Sequence, residues 1–178
     1  MAQNAFTETD IKFMHLVLSE AKLAAQEGEV PIACILVKDG KVIAKARNSR
    51  ENKQIVTKHA ELEAIRKASE KLNTWRLDDV YCYVNLEPCH MCASALQQAR
   101  IRKVYFGAKS YKNGALVSID NFYERFDFNH KVLYQGGLLE AEASELISNF
   151  FKKRRQENKA LEEKLGGRSE RKAYRKED

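Results

Sequence analysis

After an opening hairpin, helical and strand patterns alternate along this chain, and that alternation limits the folds open to it more than any other feature. Residues 31–37 and 41–46 read as two apolar strands joined by Asp39-Gly40, a dipeptide whose tolerance of positive φ suits a tight turn. Ahead of them, Asp10 is expected to cap a helix in which Ile11, Met14, Leu18, Leu23 and Ala25 recur at a roughly helical period and which ends near Gly28. A polar loop over 47–58 leads to a helix at 59–72, then "VYCYV" at 80–84 reads as a short buried strand. Pro88-Cys89 opens a third helix through Ala99, since proline is tolerated in a first turn, and a strand follows at 103–106. Residues 107–129 carry no clear pattern, 131–134 read as a strand, and 140–165 as a helix that starts apolar and becomes charged. This order predicts an α/β domain of three layers, α/β/α, with a central mixed sheet of about five strands. The length suits one domain, placed at residues 1–165, and "GGRSERKAYRKED" at 166–178 is expected to be a basic, disordered tail.

Charge and cysteine usage narrow the class. The net charge is +6, and residues 152–178, with eleven Lys/Arg against six Asp/Glu, carry +5 of it. A local basic end of this kind suits either a solvated helix with paired charges or a surface for phosphates. No run approaches the roughly 20 apolar residues of a membrane span, and "MAQNAFTETD" lacks the basic and apolar parts of a signal peptide. A cytoplasmic protein without a membrane partner is expected. Its four cysteines then point to metal binding, catalysis or burial rather than a disulfide framework. Cys34 and Cys82 fall within predicted strands and read as small buried apolar groups.

Cys89 and Cys92 flank His90-Met91, and CxxC by itself fits a structural zinc site, a redox pair or a catalytic centre. Spaced i and i+3 at a helix start, both thiols share a face, and the free N–H groups of the first turn favour thiolate there. The chain has no second CxxC and no late histidine pair to close a four-ligand set. Of His15, His59, His90 and His130, only His59 is followed two residues on by an acid, Glu61. One histidine and two cysteines would leave a fourth zinc position for water, acidified towards neutrality, with Glu61 as proton carrier. Residues i and i+2 of an ideal helix point about 200° apart, so this reading requires His59 to stand at the helix entrance. His90, about 100° round from Cys89, is expected to face away from the metal. His130 reads as a packing residue.

H-A-E followed by P-C-x-x-C, each opening a helix, resembles the zinc deaminase signature. With "GEVPIACILVKDGKVIAKARN", "WRLDDVYCYVNLEPCHMCASAL", "RIRKVYFGAKSYKNGA" and "FFKKRRQ", the likeness runs over about residues 28–156 and is closest to the bacterial tRNA-specific adenosine deaminases of the cytidine deaminase-like superfamily. The resemblance implies hydrolytic deamination of the wobble adenosine in a tRNA anticodon loop to inosine, by a homodimer with one Zn²⁺ per subunit. It implies that His59, Cys89 and Cys92 hold the metal, that metal-activated water is the nucleophile, and that Glu61 shuttles protons. It assigns Asn48 and Ala60 to the flipped base, and Arg50, Lys109, Ser110, Lys112, Phe151 and Arg155 to RNA. Phe151 also lies at helical spacing from Ile147, which suits core packing equally.

Departures from the family pattern are Ala33 for glycine, Ser110 for aspartate, Leu116-Val117 for small residues, and His90 for an aliphatic side chain. The Ala33 methyl is expected to tighten the floor of the site. Two other functions compete: the same zinc chemistry on a free base or nucleotide of guanine or cytosine type, and a non-catalytic zinc protein that binds RNA or a partner protein. Glu61 argues against the second, because a scaffold needs no acid beside an open metal position.

Overall fold

Thr7, rather than Asp10, caps the first helix of this computed structural model, which describes residues 5–165. The predicted tail at 166–178 lies outside the described residues. Helix α1 (Glu8–Gln26) opens on a reciprocal capping box: the Asp10 N–H donates to Thr7 Oγ1 at 3.1 Å, and the Thr7 N–H returns to Asp10 Oδ2 at 2.9 Å. Asp10 stands at the third helical position because its other oxygen is engaged from the sheet, where the Tyr83 hydroxyl donates to Oδ1 at 2.7 Å. That long-range bond left no trace in the local pattern.

The hairpin is as expected. Strands β1 (Ala33–Lys38) and β2 (Lys41–Arg47) pair antiparallel, and Asp39 and Gly40 both take positive φ, 49° and 70°. The loop read over 47–58 contains a short helix α2 (Arg50–Lys53), and helix α3 (Ala60–Leu72) follows with His59 as its N-cap. Strand β3 (Tyr81–Leu86) runs further than its apolar core suggested, because Leu86 still pairs with Ala108 and the Asn85 side chain accepts from the Ala33 N–H at 2.9 Å and donates to the Pro31 carbonyl at 2.8 Å. Then come α4 (His90–Gln98), β4 (Lys103–Ala108), a short α5 (Phe122–Arg125), β5 (Leu133–Gly136) and α6 (Glu140–Leu165). Strand β5 starts later than residue 131 because its pairing is set by β4, with Leu133 opposite Lys103.

The sheet order is β2-β1-β3-β4-β5, with β3-β4 and β4-β5 parallel and the pairs involving β1 antiparallel, so the sheet is mixed and five-stranded as predicted. Side-chain alternation along β1 sorts the core into two layers. Cys34 and Leu36 face Ala60, Ala64 and Ala68 of α3 and Ala93 and Leu96 of α4, while Ala33, Ile35 and Val37 face Phe13, Met14 and Val17 of α1 and Ala143 of α6. Alanines on α3 let that helix lie close to the sheet. Cys34 and Cys82 are fully buried, their sulfurs 3.5 Å apart, in keeping with a packing role. Among the described residues no helix is long and apolar enough to cross a membrane.

Asp10 ties α1 to this scaffold and provides a stability prediction. Burial alone would raise its carboxyl, but hydrogen bonds from Tyr83 and Thr7 outweigh burial and hold it below the ordinary 3.8. Its stabilisation is therefore complete above the unfolded value and is lost as pH falls through the lower folded one. Asp10→Ala removes the capping box and strands a buried tyrosine hydroxyl, so at neutral pH a loss of about 2–3 kcal/mol is expected in urea unfolding.

Candidate metal centre and active site

Two helix entrances meet at one point on the α3/α4 face of the sheet. His59 has extended backbone at φ −77°, ψ 149°, immediately before α3. The sequence pattern required that position for His59 and Glu61 to converge. Cys89 corrects the expectation of a helical i, i+3 pair: it is the N-cap of α4, extended at φ −76°, ψ 170°, and Cys92 alone lies within the helix. Cys89 is held in this conformation from outside the helix, by an antiparallel bridge to Gly114.

His59 Nδ1 lies 3.8 Å from Cys89 Sγ and 3.5 Å from Cys92 Sγ, and the three ligand atoms all lie within 4.8 Å of one another. The hydrogen bond from Cys92, assisted by one from His59, pulls the Cys89 thiol down to about 4 against the effect of burial. Cys92, hydrogen-bonded to Cys89 and buried, is pushed up instead. One soft nitrogen and two sulfurs thus crowd around shared protons, an arrangement that a dication relieves by replacing them. The donor set fits Zn²⁺ with three protein ligands and a further open position.

Glu61, at the second position of α3, is 4% exposed. Burial raises its carboxyl above the ordinary carboxylate range, the Cys89 thiolate reinforces this, and its own backbone N–H and His59 only partly offset it. Ala60, between His59 and Glu61, is fully buried and packs in the core layer beneath the site.

Asn48 is brought alongside by backbone bonds, its N–H to the Ile32 carbonyl at 2.9 Å and the next N–H, of Ser49, to the Lys58 carbonyl at 3.0 Å. Its carboxamide is oriented by a residue the sequence did not mark. Glu29, fully buried, accepts from Asn48 Nδ2 at 2.9 Å and from the Asn52 N–H at 2.6 Å, so it orders both the asparagine and α2. Its trace in the sequence is an acid directly ahead of an apolar strand. Glu87 is the second such residue: 3% exposed, it accepts N–H bonds from Ser110, Leu116, Val117 and Ser118 and the Ser118 hydroxyl. Burial would raise it, yet those donors hold its carboxyl below the usual range.

The remaining residues named from the sequence surround this centre at different distances. Arg50 pairs with Glu51 at 2.6 Å and is near enough to oppose His59 protonation. Lys109 and Lys112 are exposed on the loop after β4, and Ser110 is engaged there through its backbone N–H rather than its hydroxyl. Phe151 is 42% exposed on α6, so the helical spacing from Ile147 does not carry it into the core, and Arg155 is exposed one turn further on. Neither makes a hydrogen bond or ion pair with the metal-site residues among those described. His90 turns outward as expected, bonding Asp120 at 3.0 Å and meeting the Phe122 ring edge-on. His130 bonds the Ile101 carbonyl at 2.8 Å, a packing contact. Ala33 corrects an expectation: its methyl lies in the α1-side core layer, on the sheet face away from α3 and α4.

The chain has counterparts among known proteins. The family of MafB19-like deaminases matches residues 8–155. The tRNA-specific adenosine deaminase of Aquifex aeolicus is 48% identical over 143 residues, covering 80% of this chain and 94% of that protein. That of Bacillus subtilis is 41% identical over 156 residues, covering 88% and 97%. A solved structure from work on A-to-I editing by tRNA:A34 deaminases at the wobble position of transfer RNA superposes with a TM-score of 0.72 at 43% identity, covering 76% of this chain and 98% of the other. With identity this high over nearly the full length of each relative, the chain belongs to the family of tRNA-specific adenosine deaminases.

Proposed function

We propose that the protein hydrolyses the wobble adenosine of a tRNA anticodon loop to inosine, releasing ammonia. The observation that carries this reading is the cluster of His59, Cys89 and Cys92 beside the buried carboxyl of Glu61, in a chain whose relatives are named for that activity. His59, Cys89 and Cys92 would hold one Zn²⁺, which when bound supplies a Lewis acid that lowers the pKa of water towards neutrality.

The chain's own groups do the rest. Glu61, its proton affinity raised by burial, takes a proton from the attacking water and delivers it to N1 of adenine as oxygen adds at C6. It then carries the second proton to the exocyclic nitrogen, which departs as ammonia, and the base is left as hypoxanthine. Asn48, its amide anchored by Glu29, holds the flipped base by hydrogen bonding, while Ala60, expected at the base but fully buried, supports the site from the core beneath it. Arg50, Lys109, Ser110, Lys112 and Arg155 contact the RNA backbone, and Phe151 offers an exposed ring for stacking. The exposed apolar side chains Ile55, Val56, Tyr111, Val117 and Ile119 supply surface that a second copy would cover, in support of a homodimer. A cytoplasmic location follows from a tRNA substrate.

The test sets inosine formation in an anticodon stem-loop against ammonia release from free adenine, guanine and cytosine. Turnover of the stem-loop with none of the free bases is expected. Turnover of free bases alone would overturn the proposal.

A further inference from the structure

Glu87 presents a buried carboxylate without a cation. Among the described residues it forms no ion pair, and every acceptor site it offers is spent on one loop. Oε1 accepts the N–H groups of Leu116 at 3.0 Å, Val117 at 2.7 Å and Ser118 at 3.0 Å, while Oε2 accepts the Ser110 N–H at 3.0 Å and the Ser118 hydroxyl. The loop is wrapped so closely that a methyl on Gly114 would overlap the carboxylate. Burying a carboxylate is costly unless donors replace its water, and here five donors from one segment do so.

That segment is fastened to the metal site as well. The Glu87 N–H donates to the Ala108 carbonyl at 2.8 Å, the Ala115 N–H donates to the Pro88 carbonyl at 2.9 Å, and Gly114 bridges Cys89. The residues of this loop that point to RNA, Lys109, Ser110 and Lys112, therefore have their position fixed from a side chain two residues ahead of a metal ligand. We infer that Glu87 is a positioning residue for the reaction: it holds the 109–118 loop in register with the metal site, so that the bound RNA strand and the reacting base are placed by one rigid unit. This rests on the tRNA reading above.

Glu87→Gln separates this role from folding. With its amide nitrogen at the Oε2 place, glutamine keeps the three N–H bonds from residues 116–118, and the Ser118 hydroxyl can turn to accept from it. Only the Ser110 N–H is left facing another N–H, so one end of the loop is released. The expected result on an anticodon stem-loop is a KM raised about tenfold with kcat within about threefold of wild type. Zinc content should be unchanged, and amide exchange should be faster in peptides covering 109–112. Ser118→Ala, which removes the hydroxyl donor to Glu87 and leaves the Gly114 bridge to Cys89 in place, should give the same split with a smaller rise in KM, about threefold, and serves if the first variant folds poorly. Unchanged KM in both variants, or a fall in kcat together with lost zinc, would overturn the inference while leaving the tRNA reading intact. A wild-type protein inactive on the stem-loop would overturn both.

Discussion

Glu61→Ala is expected to lower deamination of an anticodon stem-loop by about three orders of magnitude while retaining zinc and fold. The carboxyl lies outside the ligand trio of His59, Cys89 and Cys92, so removing it takes away no metal donor. It is 4% exposed and its charged form is disfavoured by burial, so its loss relieves a desolvated group and should not lower stability. What disappears is the buried acid beside the cluster to which the proposed mechanism assigns the transfer of protons between water, N1 and the leaving amine. Single-turnover rates with metal analysis of the same sample check this. Turnover near wild type would contradict the proton-shuttle role, and zinc loss would make Glu61 a ligand.

The second large effect concerns the metal. Cys92 is fully buried at the third position of α4, with its sulfur 3.5 Å from His59 Nδ1. Cys92→Ser replaces a soft thiolate by a hydroxyl that binds zinc poorly. Zinc content should fall from one per chain to below about a tenth, and inosine formation should become undetectable. Zinc held by the folded chain alone should add about 4 kcal/mol of stability at a free concentration a thousand times its Kd. A chelator acting on the wild-type protein should remove that increment, and zinc should restore it. Full zinc occupancy in Cys92→Ser would contradict the ligand assignment.

The range of each interaction decides how much of the fold and site is legible in the sequence. Asp39-Gly40 specifies its turn locally, and His59-Ala60-Glu61 and Pro88 to Cys92 each carry their own spacing, so the hairpin, the α/β alternation and the grouping of His59, Cys89 and Cys92 are readable from short windows. The local pattern points to Asp10 rather than Thr7 as the cap because nothing near it in sequence shows that Tyr83, 73 residues away, occupies its second oxygen. Glu29 and Glu87 were missed for the same reason, since their partners lie 19 to 31 residues further along. The stretch 107–129 had no period because one carboxylate and a cluster of rings organise it. Phe122 meets Tyr123, Phe126 and Phe128 with centroids 5.3–5.8 Å apart, which fixes the chain around the single turn of α5 and the lone bridge of Gly114 to Cys89, both too short to leave a period.

Phe151 and Arg155 show the opposite limit. Helical spacing placed both on α6 correctly but could not say which way the helix faces, and Ala143 rather than Phe151 is buried against the sheet. Their assignment to RNA comes from resemblance and is tested with the substrate itself.

Wobble-position deamination is tested most directly by sequencing total tRNA after incubation with the zinc-loaded protein, read position by position for inosine. New inosine is expected at the wobble position of anticodons that begin with adenosine and at no other adenosine, and none with Glu61→Ala. Inosine scattered through single-stranded adenosines, or none at the wobble position under conditions where free bases are deaminated, would contradict it.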